Sequence, residues 1–421
     1  MVWRRKAGRR RKPAADRPPR NWRVRGAAAA ACAVLGYIGV TSSFANVAVK
    51  ADAATAHALA SGNGAVTAAL AEQLFAARPD ADDTSEAARL ARRALLQDAT
   101  AVEALTVLGF QAQLRGDDAA SDRYFALGTR LSRRELRPQL WAIEEAVNRG
   151  NIAGALRRYD VALRTSTEAQ GILFPILASA LSEPAIRREL LGIMTTEPIW
   201  SASFIAFAAA SGRDPIATAQ FFRERRRTGL PVGEPEGAAI VNSLFRAGRF
   251  DEAWSEYTLL RPGANAAASR DPGFGMVTQL RTPFDWNTAD NTVLSSAILE
   301  TKEGGVLDFS VPSSVGGTVV SQVQMLPPGA YRLQGRSAGL DQPERSRPYW
   351  LLSCYGGQEL GRVPLPNSVQ RQEAFAGSFT VPAKCPVQTL SLVVRSTQDI
   401  NGVSGQVRAA RLAPARRGEA P

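Results

Sequence analysis

Four glycines, Gly116, Gly150, Gly212 and Gly248, stand in the same local pattern. Five residues beyond each is a small residue: Ser121, Ala155, Ala217 and Ala253. Nine residues beyond each is an aromatic one: Phe125, Tyr159, Phe221 and Tyr257. The first pair of glycines is 34 residues apart and the last pair 36. A period of this length restricts the fold to stacked helical hairpins, because one hairpin cannot bury its apolar face alone and must lean on its neighbours. Such arrays present extended binding surfaces and do not by themselves supply a catalytic centre.

The segment 98–133 shows the unit in full. Leu105, Leu108 and Gly109 share one helical face by their spacing. Gly116 permits the tight turn, since glycine reaches backbone angles that other residues avoid. Ser121, Phe125 and Gly128 then line the inner face of a second helix. Leu105, Leu108, Gly109, Ser121, Phe125 and Gly128 together resemble the tetratricopeptide repeat (TPR). The unit at 137–168 keeps Gly150, Ala155, Tyr159 and Ala162, with Ile143 in place of the first unit's Gly109. The unit around Gly248 keeps Ala253 and Tyr257. Residues 170–195 have helical periodicity without a turn glycine, and 85–98 reads as one further helix through Ala87, Ala91 and Ala94. The resemblance covers residues 52–262 and implies an all-α solenoid; an irregular helical bundle is the alternative.

The net charge of +12 suggests nucleic acid until it is located. Residues 1–25 hold eleven basic side chains and one acid, Asp16, so the remainder is nearly neutral and no nucleic-acid partner is expected. Residues 26–49 follow without a single charge. A membrane span needs about 20 mostly apolar residues, and a basic flank holds its own end in the cytoplasm. The expectation is a bacterial inner-membrane protein, single-pass, with a cytoplasmic head at 1–25, a transmembrane helix at 26–49 and the bulk in the periplasm. The alternative is a cleaved signal peptide, with Ser43-Phe44-Ala45 as the cleavage site.

Composition shifts after Arg261. Residues 263–282 are rich in Pro, Gly and Asn and read as a linker. Beyond them, Leu307, Phe309 and Val311 alternate with Asp308 and Ser310, the period of a half-buried strand. Further strands are expected at 292–300, 318–325, 330–335, 349–355, 375–381, 388–396 and 403–412. Short strands broken by Pro and Gly turns indicate an all-β sandwich or barrel. Phe284-Asp-Trp286, Pro328-Gly-Ala-Tyr331, Tyr349-Trp350 and Gly405-Gln-Val-Arg408 resemble a jelly-roll domain of the carbohydrate-binding kind, over residues 283–414. Residues 415–421 form a tail. The fold class is therefore a multidomain α + β chain: transmembrane helix, TPR-like solenoid, jelly-roll-like sandwich.

Cys354 and Cys385 are 31 residues apart in this exported domain and suggest a disulfide; two buried thiols are the alternative. Cys32 lies inside the apolar segment. Chemistry that needs histidine has only His57 to draw on, in an Ala-rich stretch read as an exposed linker. No catalytic residues, metal site or cofactor are expected. Asp285, Asp290, Glu300, Glu303 and Asp308 cluster in sequence, but carboxylates on strands and turns are ordinarily solvated. Alternation on 349–355 sets Tyr349 and Tyr355 opposite the Trp350 and Cys354 face, so these two tyrosines are the candidate glycan contacts. On the helical array, Gln111, Arg115, Glu144, Asn148 and Asn242 fall on first helices of hairpins and are the candidate groove residues for a protein partner of the cell envelope. The expected function is an interaction scaffold in envelope or exopolysaccharide assembly. Polysaccharide binding through the sandwich is the alternative, and a glycan-active enzyme a further one.

Overall fold

The computed structural model describes residues 22–49, 51–211, 213–276, 278, 280–289 and 294–415. Most of the basic head, the turn glycine Gly212, Asp290 and residues 416–421 of the tail lie outside them. The chain divides into two compact units, Met1–Ser166 and Thr167–Pro421.

Among the described residues the first element of the first unit is α1 (Trp22–Ala48), a 27-residue helix long and apolar enough by length and composition to cross a membrane. Seven helices follow: α2 (Ala53–Leu59), α3 (Gly64–Ala77), α4 (Glu86–Gln97), α5 (Val102–Leu114), α6 (Asp118–Leu131), α7 (Leu136–Asn148) and α8 (Ile152–Thr165). Side chains of Asp52, Asn63, Ser85, Asp117 and Asn151 accept hydrogen bonds from the first free amides of their helices. These caps satisfy donors that the helix itself leaves unpaired. Gly116 (φ 76°) and Gly150 (φ 67°) close the α5–α6 and α7–α8 hairpins in the left-handed region. The amides of Asp117 and Asn151 each reach back to the carbonyls of Ala112 and Ala146 at 2.9 Å. That 6→1 bond is the Schellman stop, which favours glycine at the left-handed position because it has no Cβ to clash. Gly109 serves packing instead. A Cβ there would lie 2.9 Å from the Phe125 ring. Phe125, fully buried, then meets Phe110 edge-on at 5.0 Å and stacks on Trp141 at 5.1 Å.

The second unit opens with helices α9 (Glu168–Ser179), α10 (Pro184–Met194), α11 (Ser201–Ser211), α12 (Pro215–Arg227), α13 (Glu234–Arg246) and α14 (Phe250–Leu260). The segment lacking a turn glycine breaks between α9 and α10 through a 3-10 turn at Ala180–Ser182, with Pro184 starting the next helix. Gly248 (φ 72°) repeats the stop of the first unit, the Arg249 amide reaching the Leu244 carbonyl at 2.9 Å.

An antiparallel β-sandwich completes this unit, with strands β1 (Asn287–Thr288), β2 (Ser295–Thr301), β3 (Gly304–Val311), β4 (Gly317–Gln324), β5 (Gly329–Ala338), β6 (Tyr349–Cys354), β7 (Glu359–Pro364), β8 (Glu373–Val381), β9 (Gln388–Val394) and β10 (Val403–Pro414). Two five-stranded sheets run in the orders β1-β4-β9-β6-β7 and β2-β3-β10-β5-β8. Phe309, Leu333, Trp350, Leu352, Phe375, Phe379, Leu390 and Leu392 fill the space between them. All eight expected strands are present. The two extra ones carry no alternation: β1 has two residues, and β7 is an edge strand whose apolar Leu360 and Val363 are three apart and which contains Gly361 and ends on Pro364. Cys354 and Cys385 form a disulfide.

The stretch read as a linker at 263–282 is laced to the sandwich. The Ser269 amide donates to the Leu412 carbonyl (2.9 Å), and the Ala410 amide donates to the Pro272 carbonyl (2.8 Å). Phe274 joins the sandwich core. Pro and Gly content marks an absence of regular structure; it does not say whether the strand beside it has spare hydrogen-bonding groups.

Candidate functional site

On α7, Trp141, Glu144, Glu145 and Asn148 stand at i, i+3, i+4 and i+7, one continuous stripe of a helix. On α6, Asp118, Ser121 and Asp122 form the matching stripe. Stacking of the hairpins brings these stripes together around a pocket of about 290 Å³, which Gln113 of α5 also lines. Phe125 holds the Trp141 ring from behind, and Trp141 remains half-buried at the pocket wall.

Four carboxylates border this pocket. Glu145 pairs with Arg149 one turn on, at 2.5 Å. Asp118, Asp122 and Glu144 take part in no ion pair among the described residues. They ring the space without converging: among the described residues no three His, Cys, Asp or Glu side chains could hold a metal ion. The Ser121 hydroxyl is buried, 3% exposed for the residue, and has no hydrogen-bond partner. A second cavity of about 540 Å³ adjoins the first and shares Asp122, Trp141 and Glu145 with it. Its far wall is basic, with Arg149, Arg157 and Arg158 beside Asn151.

The expected groove residues separate into two sets. Glu144 and Asn148 line the acidic pocket. Gln111 is 1% exposed and its amide donates to Ser85 Oγ (3.0 Å), Asp80 Oδ1 (3.3 Å) and the Asp82 carbonyl (3.3 Å). It ties α5 to the loop before α4 and has no surface for a partner. Arg115 is exposed, with a long bond to the Ala81 carbonyl (3.3 Å). Asn242, in the second unit, donates to the Arg281 carbonyl (3.1 Å) and braces the 263–282 stretch, a strap between helices and sandwich. The pocket residues Trp141, Asp118 and Asp122 were not singled out from sequence, and Ser121 was taken only as a packing position. The spacing on α7 was the available signal; the partner stripe on α6 becomes visible only once the hairpins stack.

In the sandwich, Tyr349 and Tyr355 do lie off the Trp350 face. The guanidiniums of Arg362 and Arg395 sit over the Tyr349 ring, 4.8 and 4.7 Å from its centre. Tyr355 packs edge-on against Phe245 and Phe250, each at 5.3 Å, and is still 51% exposed. Both rings are thus partly occupied by protein. Of the clustered carboxylates, Asp285 is buried and accepts from the Thr282 amide and hydroxyl (2.8 Å each) and from the Tyr257 hydroxyl (2.9 Å). Glu303 pairs with Arg408 at 2.6 Å, and Asp308 accepts from Gln406 at 2.9 Å. The outward face of β5, β8 and β10 is open: Gln334 stands between Ala376 and Arg411, and Arg336 beside Ala374. His57 belongs to α2, not to an exposed linker. Its Nδ1 lies 3.3 Å from Thr67 Oγ1, and burial followed by the nearby Arg93 charge holds its pKa below the usual imidazole value.

No protein-family profile matches the chain, and no curated protein matches it either. Among solved structures, the β domain is similar in layout to TmCBM61 in complex with beta-1,4-galactotriose, at 16% identity over 35% of this chain and 97% of that one, TM-score 0.26. It is similar also to a protein described under CBM4 structure and function (12% identity, 35% and 99% covered, TM-score 0.27). A third is the CBM22-1 xylan-binding domain from Paenibacillus barcinonensis Xyn10C (10% identity, 37% and 97% covered, TM-score 0.26). Likeness at this level describes a sandwich and assigns no ligand.

Proposed function

We propose that this protein is a single-pass, membrane-anchored interaction scaffold that binds a protein partner through the α5–α8 hairpins and performs no turnover. The observation that carries this is the trough between those hairpins: its walls are polar, charged and largely unpaired, around a half-buried tryptophan. Side chains needed only for stacking would be apolar, and these are not. The basic head before α1 supports a cytoplasmic amino terminus. The bulk then lies in the periplasm of a two-membrane bacterium, where the Cys354–Cys385 disulfide is at home. Envelope or exopolysaccharide assembly is the process this architecture suits.

Reporter fusions at both ends test the topology. A cytoplasmic carboxyl end, or free thiols at Cys354 and Cys385 in freshly isolated protein, refutes it. Cross-linking in intact cells tests the partner. Substituting Asp122 and Glu144 should lose a specific envelope protein from the cross-linked set, and an unchanged set refutes the groove.

A second reading gives the sandwich a glycan-binding role. The observation favouring it is the outward face of β5, β8 and β10, where small Ala374 and Ala376 leave a flat floor beside the planar groups of Gln334, Arg336 and Arg411. Polysaccharide co-sedimentation of the wild type, abolished by Gln334→Ala with Arg411→Ala, would support it; equal sedimentation of both proteins would dismiss that face.

A further inference from the structure

We propose that the trough takes an extended peptide carrying a lysine or arginine two residues from an aspartate or glutamate, the cation seated in the acidic pocket against Trp141 and the carboxylate facing Arg157 and Arg158. This rests on the scaffold reading and names the chemistry of its partner.

The pocket selects a cation of guanidinium or ammonium size. Asp118, Asp122 and Glu144 supply negative charge that no described basic side chain neutralises. Their spread around about 290 Å³ excludes the tight convergence that a metal ion needs and suits a larger, hydrogen-bonding cation. Trp141 provides an aromatic wall, the best partner for a cation over a ring. The Ser121 hydroxyl is the independent sign that something polar is missing. A buried polar group without a partner is costly and rare, and this one borders the same pocket. A donor on the incoming cation satisfies it.

The second cavity sets polarity. It continues the first across Asp122, Trp141 and Glu145, and ends on Arg157 and Arg158, both exposed and neither in an ion pair among the described residues. A purely basic segment would be repelled there. A segment that changes sign along its length matches the trough, and like-charge juxtaposition rejects the others.

The test uses the full-length protein in detergent micelles. Ten-residue peptides with blocked ends, on a Gly-Ser background, carry Arg-Gly-Glu, two arginines, two glutamates, or no charge. The mixed peptide should bind best, about tenfold or more over the neutral one, and weaken as salt rises. Asp122→Asn with Glu144→Gln should bring it to the neutral level. Arg157→Glu with Arg158→Glu should make the two-arginine peptide the preferred ligand. Ser121→Ala, a volume-conserving change, should weaken the mixed peptide while raising the urea midpoint of the unliganded protein, because it removes the unpaired buried hydroxyl. An unchanged peptide ranking in the charge-swapped protein overturns the proposal, as does a preference of the wild type for the acidic peptide. If a cross-linked envelope partner is lost in Trp141→Ala but kept in the charge swap, the charge pattern alone is refuted. If no variant loses it, the groove reading falls too.

Discussion

Arg270 offers the sharpest test of how the strap at 263–282 joins helices to sandwich within the second unit. Its side chain is buried and donates to the Phe284 carbonyl through two nitrogens (3.1 and 3.0 Å), to Gln324 Oε1 (2.9 Å) and to the Val323 carbonyl. Its guanidinium lies over Trp254 and Phe284, 5.4 and 5.9 Å from the ring centres. Burial pulls its pKa well below the usual guanidinium value, to about 10. Arg270→Met strands three acceptors, each worth about 1–3 kcal/mol when left unpaired in the interior, or about 6 kcal/mol in the middle of that range. It also removes a cation whose burial costs about 3 kcal/mol, at about 1.4 kcal/mol per pKa unit. The hydrogen bonds win, and a net loss of about 3 kcal/mol is expected. Urea unfolding of the full chain in micelles, followed by tryptophan fluorescence, reads this directly, since Trp254 and Trp286 border the strap. Arg270→Lys keeps the charge but not the planar fork, and should fall between the two. A methionine variant as stable as the wild type would refute the reasoning, because hydrophobic replacement would then outweigh the stranded acceptors.

Phe125→Ala should cost about 3–5 kcal/mol in the unfolding of the first unit, whereas Asp122→Asn with Glu144→Gln should stay within about 0.5 kcal/mol; equal losses would mean the acids are structural. Reducing Cys354–Cys385 should destabilise the sandwich by roughly 3–4 kcal/mol on the chain-entropy account, seen as a shift of the urea midpoint on adding a reductant and absent in the Cys354→Ser, Cys385→Ser protein. His57 is held neutral in the fold, so the unfolded chain takes up its proton first as pH falls. Its stabilising contribution is full above pH 6.5 and is lost as pH drops through its lowered folded value. Protection of the α2 and α3 amides, taken relative to their intrinsic exchange rates at each pH, should therefore fall on acidification below that range, and His57→Asn should remove the dependence; a variant with the same protection profile as the wild type refutes it.

Local rules carried the reading of this chain a long way. The turn glycines announce their own left-handed stops at Gly116, Gly150 and Gly248, because glycine enters that backbone region without the steric cost other side chains meet there. Period-2 alternation located eight strands, and an uncharged run after a basic head located α1, since each depends only on neighbours in sequence. Features that depend on what lies across a gap were not legible. Gln111 looked like a surface residue until the 80–85 loop folded over it. The 263–282 segment looked free until β10 offered it backbone partners. Tyr355 was open to a ligand until Phe245 and Phe250 arrived from α13 and α14. The pocket itself is made by two helical stripes that are each ordinary alone. Only the stacking of one hairpin on the next, set by Phe125 wedged between Phe110 and Trp141, brings Asp118 and Asp122 opposite Glu144 and leaves Ser121 buried without a partner.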